Sequence, residues 1–256
     1  MSLQVGSTIT NGLRRVASRN GLLLILAFAT VGTAWQVAFN SAVAASLPPE
    51  FGGQLAPTVD APLPVLAAVT VALFLVLPVL SVVAIRTFVA GATDRIPRAF
   101  VTRRIVWVVA NLLVGGVVLG VLVGLGTLLL VIPGIVLYVA LLFMAVFIAV
   151  EDENFVAAMA DSWRLTRGSW LRLLAIVLIV TVPFTVLITA LSVGLALALG
   201  PSSAAAALVT AGISMAFSVV ILGVLAEAFE RLRADRNRAA APGGRDAVGS
   251  DSAPPA

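Results

Sequence analysis

The chain contains no cysteine and no histidine, and every basic residue in it is arginine. Without cysteine there is no disulfide framework and no thiol nucleophile, and the redox compartment cannot be read. Without histidine the commonest general base is missing and, with cysteine also absent, so are the usual zinc ligands. Charge is scarce as well. Only 11% of the 256 residues are charged, against about a quarter in a soluble domain. Apolar residues take their place, at 61% of the chain with a mean hydropathy of +1.12. Such a chain has too little polar surface to cover a globule in water, whereas lipid solvates apolar surface. The fold class is all-α, a polytopic membrane protein.

The charge-free runs set the spans. A helix rises about 1.5 Å per residue, so about 20 residues cross the hydrocarbon core. Asn20 to Pro49 is uncharged and follows Arg14, Arg15 and Arg19, which gives span one over 21–44. A cleaved signal peptide ending near Ala42-Val43-Ala44-Ala45 is the competing reading, but the apolar run is too long for a signal's core. The Pro/Gly-rich stretch 46–62 reads as a loop. Span two covers 62–85, with Pro78 as a kink. Ile105 to Val150 is again uncharged and too long for one crossing. Pro133 and Gly134 are its strongest breaker pair, so they are read as the turn between span three, 105–130, and span four, 134–150. The uncharged stretch from Leu173 to Ala226 divides at Gly200-Pro201-Ser202-Ser203 into span five, 169–199, with Pro183 as a kink, and span six, 204–227.

Between spans four and five the pattern changes. Glu151-Asp152-Glu153-Asn154 opens a short helix over 154–167, with Arg164 and Arg167 at its end and Gly168 placed to stop it. Phe155, Val156, Met159, Ala160 and Trp163 share one arc at 100° per residue. This is read as an interfacial amphipathic helix lying in the membrane plane. Trp163 and Trp170 suit the headgroup level. Residues 1–20 form a polar, weakly amphipathic N-terminal segment ahead of the transmembrane domain, 21–230. Residues 231–256 form a tail, disordered towards its end.

The arginines alternate. They occur before span one, in 86–104, in 151–172 and in the tail, and are absent from the other three connections. Six spans with both termini in the cytoplasm satisfy the positive-inside rule at every loop, and the expected location is the plasma membrane. The same arginines are read as touching lipid headgroups, anionic ones included. Stacking platforms that would suit nucleic acid are not evident.

Gly116, Gly120 and Gly124 recur on one face of span three, a spacing that lets helices pack closely in lipid. Packing within the chain and a homo-oligomer face are both open. Thr181, Thr185 and Thr189 line one face of span five beside Pro183. They form either a polar groove or hydroxyls that satisfy backbone freed by the kink. No charge lies at mid-span, where a transport pathway would place one. Glu151, Asp152 and Glu153 lack the spacing of a cation-binding loop. No catalytic set, cofactor site or metal site is read.

Ile132-Pro133-Gly134, the acidic turn Glu151-Asp152-Glu153 and the segment Ser162-Trp163-Arg164-Leu165-Thr166-Arg167-Gly168-Ser169-Trp170 together resemble an uncharacterised family of multipass membrane proteins. The pattern is similar to the membrane domain found beside some glycerophosphoryl diester phosphodiesterases, and Arg19-Asn20-Gly21-Leu22 looks like its archaeal branch. The resemblance implies a six-span layout and no established catalytic residue. The soluble phosphodiesterase domain is absent, so that activity does not carry over. The sequence therefore points to a structural or interaction protein contacting lipid or a membrane partner through Trp163, Arg164, Arg167 and Trp170. A small-solute transporter or channel using the span-five threonines is the first alternative. A lipid-modifying enzyme is the second.

Overall fold

A computed structural model describes residues 4–48, 57–200 and 203–240. Every regular element among them is a helix. In chain order these are α1 Val5–Val16, α2 Arg19–Ser46, α3 Leu63–Val89, α4 Arg98–Thr102, α5 Ile105–Leu129, α6 Val131–Ala140, α7 Met144–Glu151, α8 Phe155–Thr166, α9 Trp170–Leu199 and α10 Ala204–Ala240. Six helical stretches are long and apolar enough to cross a membrane: α2, α3, α5, α6 continued by α7, α9 and α10. Their hydrocarbon side chains leave the backbone as the main polar burden, and a helix satisfies it internally. Pro78 and Pro183 lie inside α3 and α9.

The packing is uneven along the spans. Every residue of α3 from Val82 to Phe88 is buried, whereas only Leu173 and Ile176, in the first turns of α9, are buried in that helix. Val82, Ile85, Val108, Phe143, Ile148, Ala158 and Phe229 form one apolar core, all at the arginine-rich end of the bundle. At the other end Leu128 and Leu197 are 83% and 84% exposed. Patches of that size on a water-soluble monomer mark an interaction surface; on a membrane helix, lipid covers them.

One expectation needs correction, and three gain detail. First, the chain reverses at Leu130 (φ −157°, ψ 128°), not at Pro133-Gly134. Pro133 sits in the first turn of α6, where its missing N–H leaves nothing unpaired. Gly134 is a packing residue: a Cβ there would come within 2.7 Å of Thr127 N, and one on Gly126 within 3.1 Å of Gly134 Cα. Second, the N-terminal segment is largely the helix α1, packed across α10 so closely that a Cβ on Gly12 would lie 2.7 Å from Val224 Cα. Third, α10 carries the chain in helical form through residues 231–240. Fourth, span four is interrupted at Leu141–Phe143, between α6 and α7. Residues 241–256, which hold most of the disorder expected towards the end of the 231–256 tail, part of the 46–62 loop and the Pro201-Ser202 turn residues lie outside the described residues.

Candidate functional site

The arginine-rich end is organised by two ion-pair clusters. The first centres on Arg86, in the last turn of α3 and only 5% exposed. Its Nη2 donates to Asp152 Oδ1 at 2.8 Å, its Nε to Ala149 O at 2.6 Å, and its Nη1 to the carbonyls of Phe100 (2.9 Å) and Arg103 (3.1 Å). Those acceptors belong to the ends of α7 and α4, where helical carbonyls lack an intrahelical partner. One guanidinium therefore closes two helix ends and balances a carboxylate. Asp152 reaches it because the residue is left-handed (φ 56°), a conformation Asp tolerates better than most side chains. Its other oxygen, Oδ2, lies 3.0 Å from Arg103 Nε, and Arg103 Nη2 donates to Val150 O at 2.6 Å.

The second cluster ties α1 to α10. Glu227 accepts from Arg15 and from Arg231, both at 2.7 Å, and Arg15 also reaches Glu230 and the Phe88 carbonyl at the end of α3. Arg231 Nη1 donates to Ser7 Oγ at 2.7 Å. Arg233 pairs with Glu151 at 2.8 Å. The acids considered as cation ligands are thus divided: Glu151 faces Arg233, and Asp152 faces Arg86 and Arg103.

Glu153 differs. Its Oε2 is enclosed, and no hydrogen-bond donor reaches it among the described residues. Burial pushes its carboxyl above the ordinary value of 4.5, and the charges of Asp161 and Glu151 push it further. Between 4.5 and that raised value the folded chain therefore holds a proton that the unfolded chain releases. Stability is expected to rise as pH falls from neutral through that raised value, and to level off below about 4.5. Glu153→Gln is expected to stabilise the protein at pH 7 and to flatten this rise, read as melting temperature against pH in detergent.

The segment carrying the family resemblance closes the interruption in span four. Helix α8 starts from Asn154, whose Oδ1 accepts from Ala157 N (2.9 Å), and the buried Asn111 accepts from Phe155 N (3.1 Å). It then doubles back along α7, so Ser162 arrives at the break. Phe143 N donates to Ser162 Oγ at 3.1 Å, and Ser162 Oγ donates to Ala140 O at 2.9 Å. Thr166 Oγ1 lies 3.1 Å from Ala140 O and 3.0 Å from Ser162 O, and accepts from Trp170 Nε1 at 3.2 Å. The Ala140 carbonyl and the Phe143 N–H beside the break belong to fully buried residues and are paired within the protein, as a bilayer demands. Within the protein α8 buries Ala158, Ser162, Leu165 and Thr166, while Val156, on the expected apolar arc of Phe155, Val156, Met159, Ala160 and Trp163, is 61% exposed.

The expected contact residues lie together on the outside. Trp163 and Trp170 pack edge to face, 5.3 Å between ring centres. Arg164 pairs with Asp161 at 2.9 Å but stays exposed, and Arg167 is exposed beside it. Gly116, Gly120 and Gly124 are exposed, and added Cβ atoms there would meet nothing within 4 Å. Packing within the chain is done by their neighbours instead: Gly115 against Phe155 and Met144, and Gly126 against Gly134. Thr181 and Thr185 donate to the carbonyls four residues before them, at 2.7 and 2.9 Å. Thr181 borders a cavity of only about 20 Å³, and Thr185 and Thr189 are exposed, so the three do not line a common groove.

Sequence reading missed Arg86, Ser162 and Thr166 as organising residues. For Arg86 the signal present was its direct abutment on the apolar run. For the hydroxyls it was their spacing of four.

Six apolar helices with a packed, ion-paired end define a multipass integral membrane protein. The chain belongs to the family described as a domain of unknown function, DUF7847, whose model matches residues 3–232. No curated protein and no solved structure matches it.

Proposed function

We propose that this is a non-enzymatic membrane protein whose arginine-rich face holds anionic lipid headgroups. Its termini lie in the cytoplasm, the membrane is the plasma membrane, and Trp163, Arg164, Arg167 and Trp170 form the contact edge. One observation carries the reading. Most of the described acids at this end are used inside the protein, while Arg14, Arg19, Arg95, Arg98, Arg167 and Arg172 are exposed with no carboxylate partner among the described residues. Outward arginines beside the exposed Trp163 and the half-buried Trp170 suit a headgroup layer. The alternation of arginine along the chain supports the cytoplasmic placement. The shared Ile132-Pro133-Gly134 and Ser162–Trp170 segments support kinship with phosphodiesterase-associated membrane domains.

The test uses nanodiscs of phosphatidylcholine with increasing phosphatidylglycerol. Each arginine at the surface contributes on the order of 1 kcal/mol towards anionic lipid. Arg164→Gln with Arg167→Gln is therefore expected to weaken phosphatidylglycerol enrichment around the protein roughly tenfold or more. Equal enrichment in wild type and variant would refute the assigned edge.

A further inference from the structure

A cavity of about 250 Å³ opens between the end of α3, α4 and the end of α7, with Arg86 and Arg103 in its wall beside Val89, Phe100 and Val150. We propose that it is a binding site for one singly charged phosphate group, with Arg103 and Arg86 as the residues that recognise it.

The charge count comes first. Two guanidinium groups share one carboxylate, Asp152, so the cluster carries one positive charge without a partner. A phosphodiester carries one negative charge and balances it, whereas a dianionic phosphate overshoots. Donors come second. Arg103 uses Nε on Asp152 and Nη2 on Val150 O, which leaves Nη1 without a partner among the described residues on a half-exposed side chain. Guanidinium N–H groups match phosphate oxygens in spacing and plane. Arg86 is already fixed by three carbonyls and Asp152, so little side-chain freedom is lost on binding.

The setting comes third. Val89, Phe100 and Val150 make the rest of the wall apolar, which suits a phosphate with hydrocarbon attached better than a fully hydrated ion. Arg104, one residue on, holds its guanidinium 5.9 Å from the centre of the exposed Trp107 ring, an aromatic pairing that suits headgroup depth. The inference rests on the lipid-facing reading only for that depth; its residues are separate from Trp163, Arg164, Arg167 and Trp170.

The full chain in detergent is titrated with dihexanoylphosphatidylglycerol by isothermal titration calorimetry. Wild type binds. Arg103→Gln, which keeps the Arg86–Asp152 pair, weakens binding at least tenfold, and so does Ala99→Trp, whose ring fills the mouth of the cavity. Ala99→Trp leaves every ion pair intact, so it carries the test if Arg103→Gln lowers the melting temperature. Arg164→Gln with Arg167→Gln keeps the component of binding that Ala99→Trp removes, which separates this site from the contact edge. Displacement by millimolar inorganic phosphate identifies soluble phosphate as the source; binding that survives it identifies the lipid. No binding by wild type, or undiminished binding by both Arg103→Gln and Ala99→Trp, overturns the proposal.

Discussion

Arg86→Met is expected to lower the unfolding free energy by about 3–5 kcal/mol, the usual cost of removing one partner from a buried ion pair. Three effects act together. Asp152 keeps only Arg103, which is half-exposed and screened. The carbonyls of Ala149, Phe100 and Arg103 lose their charged donor. The ends of α3, α4 and α7 are then no longer held to one another. Asp152→Leu combined with Arg86→Met is expected to recover part of the loss, because an apolar pair leaves no uncompensated charge. Unfolding by sodium dodecyl sulfate, followed by circular dichroism, reads both. A loss below about 1 kcal/mol for Arg86→Met would mean that the guanidinium is solvated, as exposed ion pairs are.

The second large effect belongs to Ser162 and Thr166. Ser162→Ala with Thr166→Val strips the polar partners from a break buried among apolar side chains, leaving Phe143 N–H and Ala140 C=O unpaired. Each unsatisfied buried group costs about 1–3 kcal/mol, so the double variant is expected to lose about 2–4 kcal/mol in the same assay. Exchange of the Phe143 amide with deuterated solvent is expected to accelerate, since its protection depends on Ser162 Oγ. Trp170 loses the acceptor of its indole N–H, which shifts that proton's resonance. These readouts distinguish capping from generic helix weakening, because Val and Thr are about equal helix formers and Ala is a better one than Ser.

The six spans were legible because their signal is compositional. An uncharged run longer than about 20 residues has few alternatives in lipid, and its ends announce themselves with arginine. Details that depend on a second helix were not legible. Pro133-Gly134 carries the local chemistry of a turn, yet its glycine serves the close approach of α5 and α6, and the reversal falls three residues earlier. The helix α1 hides because twelve residues of mixed polarity only show their purpose once Gly12 meets Val224. Ser162 and Thr166 read as the polar side of a helix; nothing local reveals that this side faces a gap in its neighbour. Arg86 reads as one headgroup arginine among five in its loop. Only the left-handed turn at Asp152 brings the carboxylate that buries it.

That division has a functional consequence. The parts fixed by composition face lipid and tolerate change. Apart from the close approach of Gly126 and Gly134, the tertiary contacts described gather at the arginine-rich end, where Ser162 and Trp170 also lie. This is why the proposed role is placed there and not along the exposed threonines of α9.

The most direct measurement is native mass spectrometry of the full chain released from its own membrane with lipids attached. The account predicts retained anionic lipid, fewer copies of which remain when Arg164 and Arg167 become Gln; the measured mass also shows whether a second copy of the chain is bound. A small polar molecule retained instead, and lost when Thr185 and Thr189 become Val, would contradict the account and point to transport.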